Sequence, residues 1–278
     1  MHPLWHAGDA HAAFERVLAS QLGRPQVLRN ATGAAPWVIQ FDDFAEPIEV
    51  AAIIRLAYKQ GFEHAVVVAP QPSSSISTCT VCHNAGNPGR NTSVTWIMTD
   101  ENASIVSPRS ATSVQYSVLE HRFMHRLVTK IEHVTGIARG HFEPLQIVRY
   151  ERGQYYRRHL DALPREQLGR EQSIVNMGES GKLRVDQRLL TAFLYLNDVI
   201  AGGETAFTDL GLVITPKPGR LIVWPNVQDH DVNLPNPLSH HEAKVVRDGV
   251  KLGANIWAHA HPLRDWLQPD EPGRFWSS

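Results

Sequence analysis

Two segments in the first half of the chain carry apolar residues at helical spacing. The first predicts a helix that begins near Pro47 and ends at Gly61. The second predicts a helix over about 118–135, ended by Gly136. The apolar face expected for the first helix consists of Ile48, Ala51, Ile54, Leu56 and Ala57. We interpret both as packing helices.

From residue 144 onward the pattern changes to short apolar segments with turn residues between them. Many short strands without intervening helices favour a sandwich or jelly roll over a parallel α/β sheet. The sequence therefore predicts a mainly β fold with flanking helices (α+β). The expected strands are Leu145–Tyr150, Tyr155–Asp161, Leu190–Leu196, Leu212–Ile214, Leu221–Trp224, Ala243–Val246 and Ala254–Ala258.

Composition and charge exclude several classes of protein. The chain has 27 Lys+Arg against 28 Asp+Glu, so it lacks the basic character of a nucleic-acid-binding protein. No apolar run reaches the roughly 18 residues that a membrane span needs. The N-terminus has no signal-peptide pattern, which predicts a cytoplasmic location. No oligomeric state is predicted.

His159 and Asp161 place an imidazole and a carboxylate two residues apart. On a strand these side chains would point to the same face, and one further histidine would complete a facial triad for Fe(II). The alternative is a hydrogen-bonded pair on the surface. With 15 histidines in the chain, a single histidine is weak support for a ligand.

The downstream residues favour the metal interpretation. His240 and His241 follow about 80 residues later, and Lys251 comes ten residues after His241. A turn at Asp248-Gly249 would fold Lys251 back beside the histidine strand, where it could pair with a carboxylate of a bound chelator. The alternative for Lys251 is a solvated lysine in a turn.

Four segments, in order, resemble the prolyl 4-hydroxylase family of Fe(II)/2-oxoglutarate-dependent dioxygenases. The first, 145–161, is similar to the family's first metal-binding segment. The resemblance is specific and implies a double-stranded β-helix (jelly-roll, cupin-like) core. The other matching segments are 187–199 with 202–205, 218–224 and 239–257, and weaker similarity extends to 38–44 and 90–93.

The resemblance implies particular site residues. The family has a lysine ten residues after the second metal histidine and a tryptophan six residues later, which His241, Lys251 and Trp257 match and His240 does not. His159, Asp161 and His241 are thus the implied metal ligands. By the same resemblance, the residues expected to contact 2-oxoglutarate are Lys251, Tyr150 and Thr191.

The resemblance also implies the reaction and the cofactors. Fe(II), 2-oxoglutarate and O₂ are expected, with L-ascorbate as a reductant and with succinate and CO₂ as products. One domain over 1–278 is predicted, with N-terminal helices and substrate loops in 1–140. The jelly-roll catalytic core would cover 141–262, and 263–278 would form a C-terminal tail.

Lys251 bears on the substrate, since the collagen-type and plant- or microbe-type prolyl hydroxylases have lysine at this position. Prolyl residues of a peptide or protein are therefore the leading substrate. The implied substrate-binding residues are His259, Trp257 and Arg90. Two departures from the family pattern, at 90–93 and in the insertion 162–187, leave a free amino acid or natural-product intermediate as the alternative. A non-catalytic module on a cupin-like barrel is a third hypothesis.

Cys79, Cys82 and His83 match the pattern for covalent haem attachment. Haem would need an exported chain and a distal ligand, and neither is indicated. A zinc site would need a further ligand besides these three. We interpret the two cysteines as free loop thiols or a local disulfide.

Overall fold

The computed structural model describes residues 4–20, 22–64, 90–91, 93–97, 118–174, 181–184, 186–262 and 267–269. The Cys79-Cys82-His83 motif lies outside these residues. Within them, no helix is long and apolar enough to cross a membrane.

The described part of the chain contains three α-helices, four short 3₁₀ helices and twenty strands. The helices are α1 (Asp9–Ala19), α2 (Pro47–Gln60) and α3 (Val118–Thr135). The strands are β1 (Arg24–Arg29), β2 (Val38–Asp42), β3 (Glu63–His64), β4 (Arg90–Asn91), β5 (Ser93–Ile97), β6 (Leu145–Tyr150), β7 (Tyr155–His159), β8 (Glu171–Ile174), β9 (Gly181–Arg184), β10 (Arg188–Tyr195), β11 (Ala201–Gly202), β12 (Thr205–Phe207), β13 (Leu212–Ile214), β14 (Leu221–Pro225), β15 (Val227–Gln228), β16 (Asp231–Pro235), β17 (His241–Ala243), β18 (Val246–Asp248), β19 (Lys251–His259) and β20 (Leu267–Pro269).

Two antiparallel sheets form the core of the fold. The larger has eight strands in the order β1-β2-β14-β10-β19-β6-β5-β3, and the smaller has five in the order β13-β12-β17-β7-β4. Side chains alternate along the strands, so Phe193 and Tyr195 of β10 pack against Phe207 and Ile214 of the smaller sheet. This arrangement confirms the predicted jelly-roll core.

The helices cover the other face of the eight-stranded sheet. Leu190, Ala192 and Leu194 of β10 belong to the same buried cluster as Phe14 of α1, Ile53 of α2 and other helix residues. The predicted bounds of α2 and α3 are confirmed within one residue. The segment predicted as helices and loops, 1–140, also supplies strands β1 and β2, which extend the large sheet.

The predicted apolar face of α2 was partly wrong. Ile48 is 49% exposed and Ala51 is also exposed, whereas Glu49 is fully buried. Glu46 and Glu49 form a capping box at the start of the helix, and the Lys130 ammonium donates to the Glu49 carboxylate at 2.7 Å. Because the cap holds Glu49 inward, the buried stripe is shifted from the predicted one.

Two strand predictions near the candidate site were also wrong. The strand predicted at Ala243–Val246 is two strands, β17 and β18, which belong to different sheets. The strand predicted to reach Asp161 ends at His159. Local spacing could not separate these cases, because the chain changes sheets within a few residues in both places.

Candidate metal centre

Two histidines lie side by side on neighbouring strands of the smaller sheet. His159 at the end of β7 pairs in register with His241 at the start of β17, and their ring centroids are 4.3 Å apart. His159 Nδ1 lies 2.8 Å from the Arg157 carbonyl oxygen, and His241 Nδ1 lies 3.1 Å from that of Ser239. A carbonyl can only accept, so Nδ1 donates in both rings. The Nε2 lone pairs are then free for a metal.

Asp161 lies between these two rings, just beyond the end of β7. Its Oδ1 is 3.6 Å from His159 Nε2 and its Oδ2 is 3.6 Å from His241 Nε2. One ligand atom from each of the three residues lies within 4.8 Å of the others. Two imidazoles and one carboxylate on one side of a cavity are the donor set that Fe(II) oxygenases use.

The protonation of the cluster suits a cation. Burial raises the pKa of Asp161, but His241 and His159 outweigh burial and hold the pKa well below its usual range. Burial and the neighbouring His159 lower the pKa of His241 to about 4. At neutral pH the cluster therefore presents an ionised carboxylate and a neutral His241 ring, which is the form that a divalent metal binds.

His240 is turned away from this cluster. Its Nδ1 lies 3.0 Å from the Arg158 guanidinium and 3.5 Å from the Asp209 carboxylate. His240 lies just before β17, at the end of a short 3₁₀ helix over Pro237–Ser239, and it makes its contacts outside the cluster. The sequence prediction chose His241 over His240, and the structure places His241 beside His159 and Asp161.

Lys251 is a buried cation inside the jelly roll. Only 1% of the residue is exposed, and its Nζ donates to the Thr205 hydroxyl at 3.5 Å. The ammonium also lies 5.5, 5.3 and 5.4 Å from the ring centroids of Tyr150, Phe193 and Tyr195. Among the residues that the structure describes, no carboxylate lies within ion-pair distance of its Nζ.

Burial lowers the pKa of Lys251 to about 7, although Glu204 acts to raise it. A buried ammonium without a counter-ion is a suitable partner for a ligand carboxylate. Lys251 does not fold back beside the histidine strand as predicted, because β19 belongs to the opposite sheet. Instead it pairs in register with Tyr150 of β6, so two of the three residues predicted to contact 2-oxoglutarate are neighbours.

Thr205 is a candidate that the sequence prediction missed. Its hydroxyl oxygen accepts from Lys251 Nζ and from the Tyr195 hydroxyl, the latter at 2.7 Å. Thr205 ends the 202–205 segment that carries part of the family resemblance. That segment marked the position, but a threonine in a strand needs no special explanation from the sequence alone.

Thr191, which was predicted to contact the co-substrate, lies beside Asp161. Its hydroxyl donates to Asp161 Oδ2 at 2.7 Å, and Asn226 lies next to it. All three side chains are buried. Thr191 therefore contacts a predicted metal ligand.

Trp257 and His259 lie in a buried cluster of charged groups. The Arg188 guanidinium stacks on the Trp257 ring at 3.8 Å and donates to Glu143 at 2.6 and 3.0 Å. His259 Nε2 lies 2.6 Å from the same Glu143 carboxylate. Arg90 pairs with Tyr156 through the backbone, and its side chain is outside the described part. Sequence reasoning missed Arg188, because a register shift between Arg188 and Leu190 turns it toward Trp257.

Ion pairs stabilise the charged forms of the side chains in this cluster. Burial acts to raise the pKa of Glu143, but Arg188 and His259 outweigh it and lower the pKa to about 2. Burial acts to lower the pKa of His259, but hydrogen bonds to the Asp186 and Glu143 carboxylates outweigh it, so the pKa is raised. Each cation of the cluster thus has a carboxylate partner.

Comparisons with known proteins agree with this geometry. The model of the 2OG-Fe(II) oxygenase superfamily matches residues 145–259. Prolyl 4-hydroxylase 2 of Arabidopsis thaliana is 29% identical over 162 residues, which is 51% of this chain and 49% of that protein. Prolyl 4-hydroxylase subunit alpha-1 of Gallus gallus is 30% identical over 151 residues, 54% of this chain and 27% of that protein. The chain thus matches about half or less of the length of these relatives.

Among solved structures, the viral collagen prolyl hydroxylase vCPH from Paramecium Bursaria Chlorella virus-1, in its 2OG complex, has the same fold. The TM-score is 0.53 at 22% sequence identity, covering 81% of this chain and 96% of that one. At this identity the likeness concerns the fold.

Proposed function

We infer that this protein is an Fe(II)- and 2-oxoglutarate-dependent hydroxylase, from the premise that residues 145–259 match the model of the 2OG-Fe(II) oxygenase superfamily. One observation carries the inference: the same jelly roll holds a two-histidine, one-carboxylate cluster and a buried lysine without a carboxylate partner among the described residues. A non-catalytic binding module would have no need of both.

In the proposed reaction, His159, Asp161 and His241 hold Fe(II), and Lys251 binds the distal carboxylate of 2-oxoglutarate. Tyr150 and Thr205 line the same position. When bound, the metal supplies oxidising chemistry with 2-oxoglutarate and O₂, giving succinate and CO₂, with ascorbate as a reductant. We propose that this site belongs to one domain spanning the chain.

The chain's own residues would orient the co-substrate and exclude water. Lys251 is surrounded by three aromatic rings, so an ion pair formed there would lie in a medium of low dielectric constant. The Nδ1 hydrogen bonds of the two histidines would hold their rings in place before the metal binds.

We propose prolyl residues of a peptide or protein as the substrate, and the Arg188 cluster supports this choice. Arg188 is close enough to the metal cluster for its charge to lower the pKa of Asp161. Because Glu143 already neutralises the guanidinium, the region suits a neutral group such as a peptide carbonyl. A free amino acid would bring a carboxylate that needs an unpaired cation. The relatives named prolyl 4-hydroxylases point the same way.

The test is a substrate panel with the Fe(II)-loaded protein. Proline-rich peptides should gain one oxygen atom on proline, with succinate formed in equal amount, whereas free proline should stay unmodified. Succinate coupled to oxidation of a free amino acid or a natural-product intermediate would favour the alternative substrate class. No succinate with any substrate would contradict the hydroxylase function itself.

Glu143→Gln should shift the substrate preference toward acceptors with a free carboxylate. The substitution removes the charge that compensates Arg188, so the guanidinium becomes available to a second anion. We expect the kcat/KM ratio of a peptide ending in free proline over its amide to rise about tenfold, roughly 1.4 kcal/mol.

The matched control for this variant is Glu132→Gln, which breaks the ion pair with Arg139 beside α3. It should leave the ratio unchanged. An equal ratio in Glu143→Gln and the parent protein would contradict the proposed role of charge balance.

A further inference from the structure

We propose that Thr191 and Asn226 are positioning residues that fix the Asp161 carboxylate for the metal. The inference rests on the proposed function, since it concerns the same metal site. Thr191 would orient the metal ligand Asp161, and Asn226, which the sequence analysis did not single out, would orient Thr191.

The three side chains form a directed chain of hydrogen bonds. The Thr191 hydroxyl has a single proton. The hydroxyl oxygen lies 2.7 Å from Asp161 Oδ2 and 3.1 Å from Asn226 Oδ1, so we assign the proton to the shorter contact, with Asp161. The Thr191 oxygen is then left as an acceptor, and the Asn226 amide donates to it at 2.9 Å. The direction of the first bond therefore decides the direction of the second.

The same proton cannot serve a second anion. A threonine hydroxyl has one donor, and in this arrangement Asp161 takes it. A bound 2-oxoglutarate carboxylate would have to compete with the buried Asp161 carboxylate already at 2.7 Å. The geometry thus favours a metal-positioning role for Thr191 over the predicted contact with the co-substrate.

The backbone holds the far end of this chain rigidly. Thr191 lies in the middle of β10, paired with Trp224 of β14 on one side and with Trp257 of β19 on the other. The backbone N–H of Asn226 donates to the Leu189 carbonyl, and the backbone carbonyl of Asn226 accepts from the backbone N–H of Asn236. Neither Thr191 nor Asn226 is exposed to solvent.

Asp161 itself lacks such support, because it lies beyond the end of β7. Without the Thr191 hydrogen bond, the described contacts that orient its carboxylate are those with the two histidine rings. Groups that orient a metal ligand commonly contribute about 10- to 100-fold to metal affinity. The hydrogen-bond chain therefore substitutes for strand pairing at this ligand.

The test is titration of the full chain with Co(II), followed by its visible absorption bands. Thr191→Val keeps the shape of the side chain and removes the hydroxyl, and we expect about 10- to 100-fold weaker Co(II) binding with altered band positions. Thr191→Ser keeps the hydroxyl and should restore both. The affinity of the Co(II)-saturated Thr191→Val protein for 2-oxoglutarate should stay within about twofold of the parent value.

Asn226→Leu tests the second link without touching Thr191. We expect a smaller loss of Co(II) affinity, on the order of threefold to tenfold. If Thr191→Val fails to fold, this variant alone tests whether the hydrogen-bond chain supports metal binding. Unchanged Co(II) binding in both folded variants, or a loss of 2-oxoglutarate affinity alone, would overturn the inference. If the parent protein binds no divalent metal, the proposed function falls first, so the two failures are distinguishable.

Discussion

Asp161→Ala should abolish stable binding of a divalent metal and with it all succinate formation. The substitution removes the one anionic donor of the cluster and leaves two imidazoles. Loss of a group that merely orients a ligand costs about 10- to 100-fold in affinity, so loss of the ligand itself should exceed about 100-fold.

The measurement is Fe(II) or Mn(II) affinity by anaerobic titration, with circular dichroism as the check on folding. The fold should survive, because Asp161 lies outside the paired strands and the Thr191 hydroxyl keeps a second acceptor, Asn226 Oδ1 at 3.1 Å, when Asp161 is removed. The melting temperature of the metal-free protein should therefore change little.

His240→Ala is the matched control. His240 adjoins His241 in the sequence but contacts Arg158 and Asp209 instead of the cluster. Metal affinity should stay within about threefold of the parent value, because His240 supplies no ligand atom to the cluster. Equal losses in Asp161→Ala and His240→Ala would mean that the three-residue cluster is not the metal site.

The sequence predicted those parts of the fold and site that depend on periodicity along one segment. Alternation along the strands, helical spacing in α3 and the spacing from His241 to Lys251 all lie within continuous segments. The mainly β fold and the bounds of α2 and α3 were accordingly predicted, whereas the jelly-roll core was implied by the family resemblance. His241 was chosen over His240 through the spacing to Lys251 and Trp257 that the family resemblance supplies.

The parts that the sequence could not predict depend on pairing between distant strands. Lys251 was expected beside the histidine strand, but the chain crosses between the sheets after β18. Arg188 reaches Trp257 only because the pairing register shifts beside it. Asn226 contacts Thr191 although 35 residues separate them. Such contacts arise from how the sheets close, which no local spacing encodes.

Binding of 2-oxoglutarate should weaken steeply as the pH rises above 7. In the protein without this ligand, burial lowers the pKa of Lys251 to about 7. A bound carboxylate favours the charged ammonium and raises the pKa in the complex, so binding takes up a proton above pH 7. The affinity should be full below pH 7 and fall by up to about tenfold for each further pH unit.

Calorimetry of the Mn(II)-saturated protein measures this dependence, and buffers of different ionisation enthalpy count the proton taken up. Lys251→Arg is the matched variant, because a guanidinium stays charged over this whole range. Its affinity should be nearly independent of pH. A flat profile for the parent protein, or the same slope in both proteins, would contradict the assignment of Lys251.

Lys251→Met separates the contribution of the lysine to 2-oxoglutarate binding from its contribution to the stability of the fold. A buried ammonium without a described carboxylate partner opposes folding whenever it is charged. Between pH 7 and about 10 the unfolded chain binds the proton more tightly, so the parent protein should gain stability as the pH rises. Lys251→Met should remove that dependence and raise the melting temperature near pH 7, while 2-oxoglutarate binding is lost. That outcome would identify Lys251 as a residue kept for its ligand at a cost in stability.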